Sequence, residues 1–368
     1  MGAKFACSRE ILHRGVQAAA RAVSNRTFLP ILGHLLITAE LDRLRIAATD
    51  LEIAMECHIE ANIEEQGALI VPARSLLDLL DRLSDGDVHV SNDEKEFKTN
   101  IRCHGSDFYF LGLPPEEFPR PIDIREEAGI TVESAVLREA IAKSRFAVSR
   151  DESRFTITGI LIRLDDDGVK FVSTDTHRLC VQDSPVVASK GAAQAIVAGR
   201  SMDEVMRILP DKPGTVDVAF GRGHIRFRSG DTMLTSRIIE GQFPTFEKVI
   251  PKEHDRTLTV LRDNFMFAIG RLRIIARENS NRIIMRAGHG NLVLSAESGN
   301  VGQASEEVEA VLDGSDIELA FNGVYMVEAL HAIKEEAVTI EMTGSINPMV
   351  LRGQDSSDYI SVLMPMQL

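Results

Sequence analysis

The sequence predicts an α+β fold made of three tandem copies of one module, in which two helices pack on antiparallel sheet. The main observation is an internal repeat, because Leu12 and Val16 recur 125 residues later as Leu137 and Ile141. A third copy follows 128 residues further on, where Phe265 matches Leu137. Within each copy, helical periodicity is clear in two stretches, and the remainder alternates between apolar and polar residues in short runs separated by turns.

Each copy is expected to begin with a short strand that leads into a first helix. The strands are predicted at residues 4–7, 130–132 and 257–260. In the first copy, residues 9–24 place four apolar side chains at helical spacing, namely Leu12, Val16, Ala19 and Val23. The repeat places the same helix in the second and third copies.

A middle strand and a second helix follow in each copy. The strand is predicted to end in an acidic turn, at Asp50, Asp175 and Glu297 in the three copies. About 25 residues after that turn the second helix begins, at Arg74, Arg200 and Asn322. Turns at residues 165–168, 221–224 and 288–291 predict hairpins between antiparallel strands.

Proline and charged residues near 114–130 and 244–256 predict two domain boundaries. The predicted domains are therefore residues 1–120, 121–250 and 251–368. Each is of ordinary domain size and long enough to bury its own core.

The cysteine pattern is typical of a reduced, cytosolic protein. Four cysteines lie far apart, without metal-ligand spacing, at Cys7, Cys57, Cys103 and Cys180. Charged residues at Lys4, Arg9 and Glu10 argue against a signal peptide. The apolar run at 28–37 is too short to cross a bilayer. We therefore expect a cytoplasmic protein with no membrane partner.

The charge distribution points to a segregated basic surface. The formal net charge is −14, which argues against a general nucleic-acid binder. Basic residues nevertheless gather at the first helix of each copy, and in the repeat register Lys143 matches Arg271 and Arg145 matches Arg273. These could be solvated helix faces, or one surface that meets phosphates while the rest repels them. Their recurrence in three copies of an acidic chain favours the second interpretation.

Several motifs carry a resemblance to a known family. They are the tripled module, the segment 174–179 (Thr-Asp-Thr-His-Arg-Leu), the stretch 28–32 (Phe-Leu-Pro-Ile-Leu) and the terminal Met364-Pro365-Met366. Together they resemble the β subunit of bacterial DNA polymerase III, the DNA sliding clamp family, along the whole chain. The resemblance implies the DNA clamp fold and a head-to-tail homodimer that forms a closed ring around double-stranded DNA.

The resemblance also implies partners and a non-catalytic role. The ring would tether the DNA polymerase III catalytic subunit, and a separate ATP-driven clamp-loader complex would open and close it. Other polymerases and repair proteins with clamp-binding motifs would dock through a peptide pocket. A sliding tether should contact phosphates and leave bases unread, so DNA binding is expected to be independent of sequence. No cofactor is implied.

Three sets of site residues follow. The DNA-binding candidates are Arg26, Arg138, Lys143, Arg145, Arg150, Arg271 and Arg273, with Phe155 added by resemblance. By resemblance, the partner-peptide pocket comprises Ile157, Thr174, His177, Arg178, Leu179, Pro244, Lys248, Val249, Asn322, Tyr325, Val362, Met364, Pro365 and Met366. By resemblance, Leu79, Phe108 and Phe110 of one chain would meet Ile274 and Ile275 of another at the dimer interface.

Three pocket positions depart from the family pattern. Thr176 stands where the family usually has glycine, Lys248 where arginine is common, and Gln367 where a basic residue is common. These departures bear on which partner peptides bind. Flexible methionines suit a pocket that accepts different guests. The alternative for the terminal Met-Pro-Met is that it forms the last strand of a core.

An enzyme and a plain repeat scaffold are the competing functional classes. Asp175, His177 and Arg178 could form a general-base arrangement, but alternate residues of a strand point to opposite faces and no nucleophile motif accompanies them. The Gly-x-Ser-x-Gly, His-Glu-x-x-His and Walker patterns are absent from the sequence. The run Asp165-Asp166-Asp167-Gly168 lacks the rest of a calcium loop. We therefore expect no catalytic residues and no metal site. A scaffold would explain the repeat but not the segregated charge.

Overall fold

The computed structural model describes residues 2–24, 29–120, 122–166, 168–288 and 290–368. The chain divides into two compact units, the first made of residues 1–134, 187–191 and 203–238, and the second of residues 135–186, 192–202 and 239–368. The middle repeat thus contributes strands to both units. The predicted domains of residues 1–120, 121–250 and 251–368 describe the repeat, whereas packing groups the strands differently because those of the middle repeat pair with strands of its neighbours.

The first repeat follows the predicted order of strand and helix. Its elements are β1 (Lys4–Ser8), α1 (Arg9–Ala19), β2 (His34–Ala39), β3 (Arg43–Thr49), β4 (Ile53–Glu60), β5 (Asn62–Glu65), β6 (Gly67–Pro72), α2 (Ala73–Arg82), β7 (Asp87–Asp93), β8 (Lys98–Cys103) and β9 (Ser106–Leu111). The Ser8 hydroxyl caps α1 by accepting a hydrogen bond from the Ile11 amide at 3.3 Å. The helix predicted over 9–24 is shorter than expected, since α1 ends at Ala19 and a 3₁₀ turn follows over Ala20–Ala22.

The middle repeat has the same plan. Its elements are β10 (Glu126–Glu133), α3 (Ser134–Arg145), β11 (Gly159–Asp165), β12 (Gly168–Thr174), β13 (Arg178–Ser184), β14 (Ala188–Lys190), β15 (Ala193–Ala198), α4 (Gly199–Ile208), β16 (Thr215–Gly221), β17 (His224–Ser229) and β18 (Thr232–Arg237). β12 ends immediately before Asp175, so the predicted acidic turn is confirmed here. A 3₁₀ turn over Glu152–Ile157 lies between α3 and β11.

The third repeat completes the chain. Its elements are β19 (Arg256–Leu261), α5 (Arg262–Ala276), β20 (Arg282–Gly288), β21 (Asn291–Ser298), β22 (Gly302–Val308), β23 (Ala310–Asp313), β24 (Ile317–Asn322), α6 (Gly323–Ala332), β25 (Ala337–Met342), β26 (Met349–Gly353) and β27 (Tyr359–Leu363). The predicted turn at Glu297 is wrong, because Glu297 lies inside β21 and pairs with Gln303 of β22. The ladder between β21 and β22 extends beyond the position where the other repeats turn.

The starts of the second helices are confirmed to within one residue. α2 begins at Ala73, α4 at Gly199 and α6 at Gly323. The predicted hairpin at 221–224 is confirmed by the pairing of Gly221 with His224. In the other two predicted hairpin turns, Asp167 and His289 lie outside the described residues.

Within the described residues, the first unit contains two antiparallel sheets. Their strand orders are β5-β1-β7-β8-β9 and β14-β10-β16-β17-β18-β4-β3-β2-β6. The larger sheet joins two repeats through β4 and β18, where Ala54 is opposite Thr235. α1 packs closely on this sheet at Gly15, where an added Cβ would lie 2.9 Å from an Ile59 methyl carbon. Any larger residue at position 15 would push the helix away from its sheet.

The second unit, over its described residues, repeats this arrangement. Its sheets have the orders β15-β11-β12-β13-β27-β26-β25-β19-β23 and β22-β21-β20-β24. The larger sheet again joins two repeats, here through β13 and β27, where Leu179 is opposite Val362. The core beneath α5 and α6 contains the fully buried rings of Phe265 and Phe321.

Candidate functional site

The turn between β12 and β13 forms one wall of the predicted partner-peptide pocket. The Thr174 hydroxyl donates to the Arg178 carbonyl at 2.7 Å, and the Thr176 amide donates to the Thr174 Oγ1 at 3.1 Å. Asp175 Oδ1 accepts from the backbone amides of His177 and Arg178 at 3.0 and 3.1 Å. Asp175 Oδ2 also accepts from Arg178 Nε at 3.0 Å, so the carboxylate of Asp175 holds the turn.

Thr176 has a backbone conformation that branched residues rarely adopt. Its φ angle is 78°, in the left-handed region. Its exposed side chain accepts a hydrogen bond from Arg154 Nη1 at 3.0 Å. Arg154 belongs to the 3₁₀ turn that also carries Phe155. The departure from glycine at position 176 thus stores backbone strain and gains a contact with a neighbouring loop.

Arg178 connects this turn to the third repeat. Its side chain is buried and ion-paired with Asp175, at 3.0 Å, and with Glu328 of α6. It also donates to the carbonyl of Phe146 at 2.6 Å. Its guanidinium lies 4.3 Å from the centroid of the Tyr325 ring, a cation–π contact. The ring of His177 stacks on Tyr325 with centroids 6.3 Å apart.

The floor beside the turn is apolar. Its buried side chains form one cluster that includes Ile157, Leu179, Phe243, Phe246 and Val362. Three further predicted pocket residues, Pro244, Lys248 and Val249, are exposed in the segment that follows Phe243.

The C-terminal segment runs along the same region. The Met364 amide donates to the His177 carbonyl at 2.9 Å, and the Met366 amide donates to the Ala320 carbonyl at 2.7 Å. Met364 is 39% exposed, and Pro365 and Met366 are half-buried. The alternative that this segment is the last core strand is wrong, because β27 ends at Leu363 and supplies that strand.

Asn322 lies at the start of α6. Its side-chain oxygen accepts from the amides of Val324 and Tyr325 at 2.9 and 3.4 Å, which caps the helix. Its side-chain nitrogen donates to the Ser280 carbonyl at 3.3 Å. This cap orients the first turn of α6, from which Tyr325 faces Arg178.

The DNA-binding candidates differ in exposure. Arg150 is exposed, and Phe155 is 56% exposed. Arg138, Arg145 and Arg273 are half-buried. Arg26 lies outside the described residues.

The placement of Lys143 does not suit the predicted contact with DNA. Its side chain is only 7% exposed and forms an ion pair with Glu139 at 2.8 Å. Its ammonium group also lies 5.1 Å from the centroid of the Tyr359 ring. Although Lys143 matches Arg271 in the repeat, it faces the interior because the third repeat supplies a buried tyrosine beside it. We therefore omit Lys143 from the DNA-binding candidates.

Arg271 is exposed but already paired within the chain. Its Nε and Nη2 donate to the two carboxylate oxygens of Glu306 at 2.7 and 2.8 Å. Hydrogen bonding to Arg271 lowers the pKa of the Glu306 carboxyl, and the same bond raises the pKa of Arg271. Glu306 lies on β22 and therefore competes with any phosphate that approaches Arg271.

The dimer candidates lie on α2 and β9 in the first unit and on α5 in the second. In the first unit, Phe108 is 44% exposed on the edge strand β9, whereas Leu79 and Phe110 are half-buried. In the second unit, Ile274 on α5 is 65% exposed and Ile275 is half-buried.

Three further exposed apolar side chains lie on the same elements and were not predicted from the sequence. They are Tyr109 and Leu111 on β9 and Phe267 on α5. The run Phe108-Tyr109-Phe110-Leu111 is an available signal, because successive residues of a strand point to opposite faces, so four consecutive apolar residues place apolar side chains on both faces of the sheet.

Among the described residues, none of the helices is long and apolar enough to cross a membrane. Across the same ranges, no group of three or more His, Cys, Asp or Glu side chains is arranged to hold a metal ion.

Comparisons with known proteins place the chain in a family. Family models described as the N-terminal, central and C-terminal domains of the DNA polymerase III beta subunit match residues 3–122, 131–245 and 247–367. A beta sliding clamp of Staphylococcus epidermidis is 29% identical over 374 residues, covering 99% of each chain.

Solved structures show the same fold. The DNA polymerase sliding clamp of Bacillus subtilis has a TM-score of 0.96 at 24% identity, covering 100% of both chains. The sliding clamp of Pseudomonas aeruginosa bound to griselimycin has a TM-score of 0.94 at 28% identity, again covering 100% of both chains. The three family models together span nearly the whole chain. The chain therefore belongs to the DNA polymerase III beta subunit family, the DNA sliding clamps.

Proposed function

We propose that two copies of this chain close head to tail into a ring around double-stranded DNA and hold the replicative polymerase on its template without catalysing a reaction. The observation that carries the proposal is the exposure of Arg150, Phe155 and Arg271 on or just after the first helices of the second and third repeats. Arg150 offers a phosphate contact, and Arg271 offers a second one when a phosphate displaces Glu306, within a chain of net charge −14. The remaining acidic surface repels DNA, which favours contact at one face.

The DNA contacts are expected to be weak and independent of sequence. Arginines on flexible stems attract phosphates without reading base edges. Because the Debye length is about 8 Å at physiological salt, the attraction between these arginines and the phosphates across a hydrated gap is small. Ring closure, and not affinity, then keeps the protein on DNA while it slides.

Closure of the ring is proposed to use the exposed apolar residues of β9 and α5. β9 lies at the edge of its sheet and exposes Phe108, and α5 exposes Ile274. An uncovered apolar edge strand tends to pair with another chain. Contact between these unlike surfaces, repeated by a two-fold axis, gives a closed dimer.

The partner pocket is proposed to receive short peptides from the DNA polymerase III catalytic subunit, the clamp-loader complex, and other polymerases and repair proteins. Its support is the apolar floor at Leu179 and Val362, bordered by the exposed His177 and Met364. A flexible methionine at the border can adapt to different side chains. The buried Arg178 ties the turn that carries His177 to Tyr325 and Glu328 of α6.

The test of this function is topological. The purified protein is loaded with its clamp loader and ATP on nicked circular DNA, isolated by gel filtration, and treated with a restriction enzyme that linearises the circle. We expect the protein to stay on the circle and to leave the linear DNA. Equal retention on both forms would show ordinary adhesion and contradict the ring.

A further inference from the structure

The first unit contains a cavity built on the same plan as the partner pocket. The cavity has a volume of about 340 Å³ and is lined in part by Leu36, Ala47 and Phe118. Shifted by the repeat offset of 125 residues, these positions become Leu161, Val172 and Phe243. All three belong to the apolar cluster beneath the partner pocket. We call the cavity in the first unit the repeat pocket.

The turn that borders the repeat pocket has the same hydrogen bonds as its counterpart. The Leu51 amide donates to Thr49 Oγ1 at 3.0 Å, and the Thr49 hydroxyl donates to the Ile53 carbonyl at 2.9 Å. Leu51 has a φ angle of 76°, against 78° for its counterpart Thr176. The strained turn is therefore present in both repeats. Strain of this kind persists where the surrounding structure holds it in place.

The border of the repeat pocket carries two arginines at positions where the partner pocket has uncharged residues. The Arg237 amide donates to the Glu52 carbonyl at 2.9 Å, as the Met364 amide does to the His177 carbonyl. Arg237 thus occupies the place of Met364. The exposed Arg120 likewise occupies the place of Thr245, 125 residues away.

The acidic groups near this border are already paired. Glu56 lines the repeat pocket and lies 3.4 Å from Arg45. Arg237 lies 3.4 Å from Glu52, with both side chains more than half exposed at 51% and 56%. Such exposed pairs are weak and exchange readily with another carboxylate. The lining of the repeat pocket therefore combines an apolar floor with two arginines, Arg120 and Arg237, against one carboxylate, Glu56.

We propose that the repeat pocket is a second docking site, which binds a peptide segment of another protein through an apolar side chain next to a carboxylate. The apolar side chain enters the cavity between Leu36 and Phe118, and the carboxylate meets Arg237 and Arg120. The proposal rests on the proposed function in one respect, since the peptide-docking role is inferred for the partner pocket first.

Methyl-labelled protein allows the two pockets to be observed separately. The probes are two synthetic peptides, acetyl-Ala-Leu-Phe-Asp-Glu-amide and its basic counterpart acetyl-Ala-Leu-Phe-Lys-Lys-amide. The methyl signals of Leu36 and Leu51 report the repeat pocket, and those of Leu179 and Val362 report the partner pocket. We expect the acidic peptide at millimolar concentration to shift the Leu36 and Leu51 signals, and the basic peptide to bind there at least about threefold more weakly.

Charge reversal identifies the contact. Arg237→Glu is expected to weaken binding of the acidic peptide about fivefold, as reported by the methyl signals of Leu36 and Leu51. Arg222→Glu is the matched control, because Arg222 is an exposed arginine in the same unit and does not line the cavity. Unmoved Leu36 and Leu51 signals, equal binding of both peptides, or equal effects of the two variants would overturn the proposal. If the partner pocket does not bind peptides, only the methyl signals of Leu179 and Val362 would stay unchanged.

Discussion

The guanidinium carbon of Arg178 lies 4.3 Å from the centroid of the Tyr325 ring. The same guanidinium is ion-paired with Asp175 in its own turn and with Glu328 in α6. One buried side chain therefore ties the middle repeat to the third repeat at the wall of the partner pocket. Because a planar guanidinium makes several directed contacts at once, lysine cannot replace it there without loss.

Arg178→Gln is expected to lower the free energy of unfolding by about 2–3 kcal/mol, because it leaves buried acceptors and a carboxylate without their partner. Urea unfolding measures the change. Arg82→Gln is the control, since the Arg82 side chain is 75% exposed and lies 4.0 Å from Asp78. The free energy of unfolding of that variant should differ from that of the parent by about 0.5 kcal/mol at most. Equal losses in the two variants would contradict a bridging role for Arg178.

Thr176→Gly is expected to leave stability unchanged or to raise it by up to about 1 kcal/mol, because relief of backbone strain offsets the entropy cost of glycine. Thr245→Gly is the comparison, since Thr245 is also exposed but has a φ angle of −69°. It should be destabilised by about 0.5–1 kcal/mol. Thermal unfolding of both variants checks the difference. A Thr176→Gly variant as unstable as Thr245→Gly would show that position 176 is not strained.

Glu306→Gln is expected to strengthen DNA association, because Arg271 is then released to meet a phosphate. Arg271→Gln should weaken it and reduce the slope of log affinity against log salt by about 0.9. Fluorescence anisotropy with a short linear duplex at low salt measures both. Glu318→Gln removes the same charge from an acid that pairs with Arg286, and so corrects for net charge. If Glu318→Gln strengthens binding as much as Glu306→Gln, Arg271 has no specific part.

The cysteines are expected to resist alkylation in the folded protein. All four are free and buried. Burial raises the pKa of Cys7 to about 11 and that of Cys180 to about 12. Since the thiolate is the reactive form, about one Cys180 thiol in 10⁴ is ionised at pH 8. Iodoacetamide labelling followed by mass spectrometry should find no modified Cys180 before urea is added and complete modification afterwards. Rapid labelling of Cys180 in the native protein would contradict its burial.

Phe108→Asp and Ile274→Asp are each expected to disrupt the dimer, because each places a charge in a covered apolar contact. Light scattering after gel filtration should give twice 40.6 kDa for the parent and 40.6 kDa for the variants. Leu41→Asp is the control, since Leu41 is 82% exposed and lies outside the proposed contact. A parent protein that is monomeric at micromolar concentration would contradict ring closure.

The repeat and the approximate positions of its helices follow from the amino-acid sequence alone. Hydrophobic periodicity is a local property, so residues such as Leu12 and Leu137 locate the first helices without knowledge of the fold. The sequence also predicted the acidic turns at Asp50 and Asp175, which follow directly after buried strands. The motif residues around Arg178 and Met364 were identified through resemblance to a family, and their docking role is a proposal.

Which side chains face solvent, and which strands pair across repeats, became known from the folded chain. Lys143 and Arg271 match in the repeat, but one lies beside Tyr359 and the other beside Glu306. The environments of these two side chains differ because residues distant in sequence supply each of them. The pairings of β4 with β18 and of β13 with β27 likewise join distant segments. Local periodicity sets the face of a strand but does not name its partner, so these contacts required the folded chain.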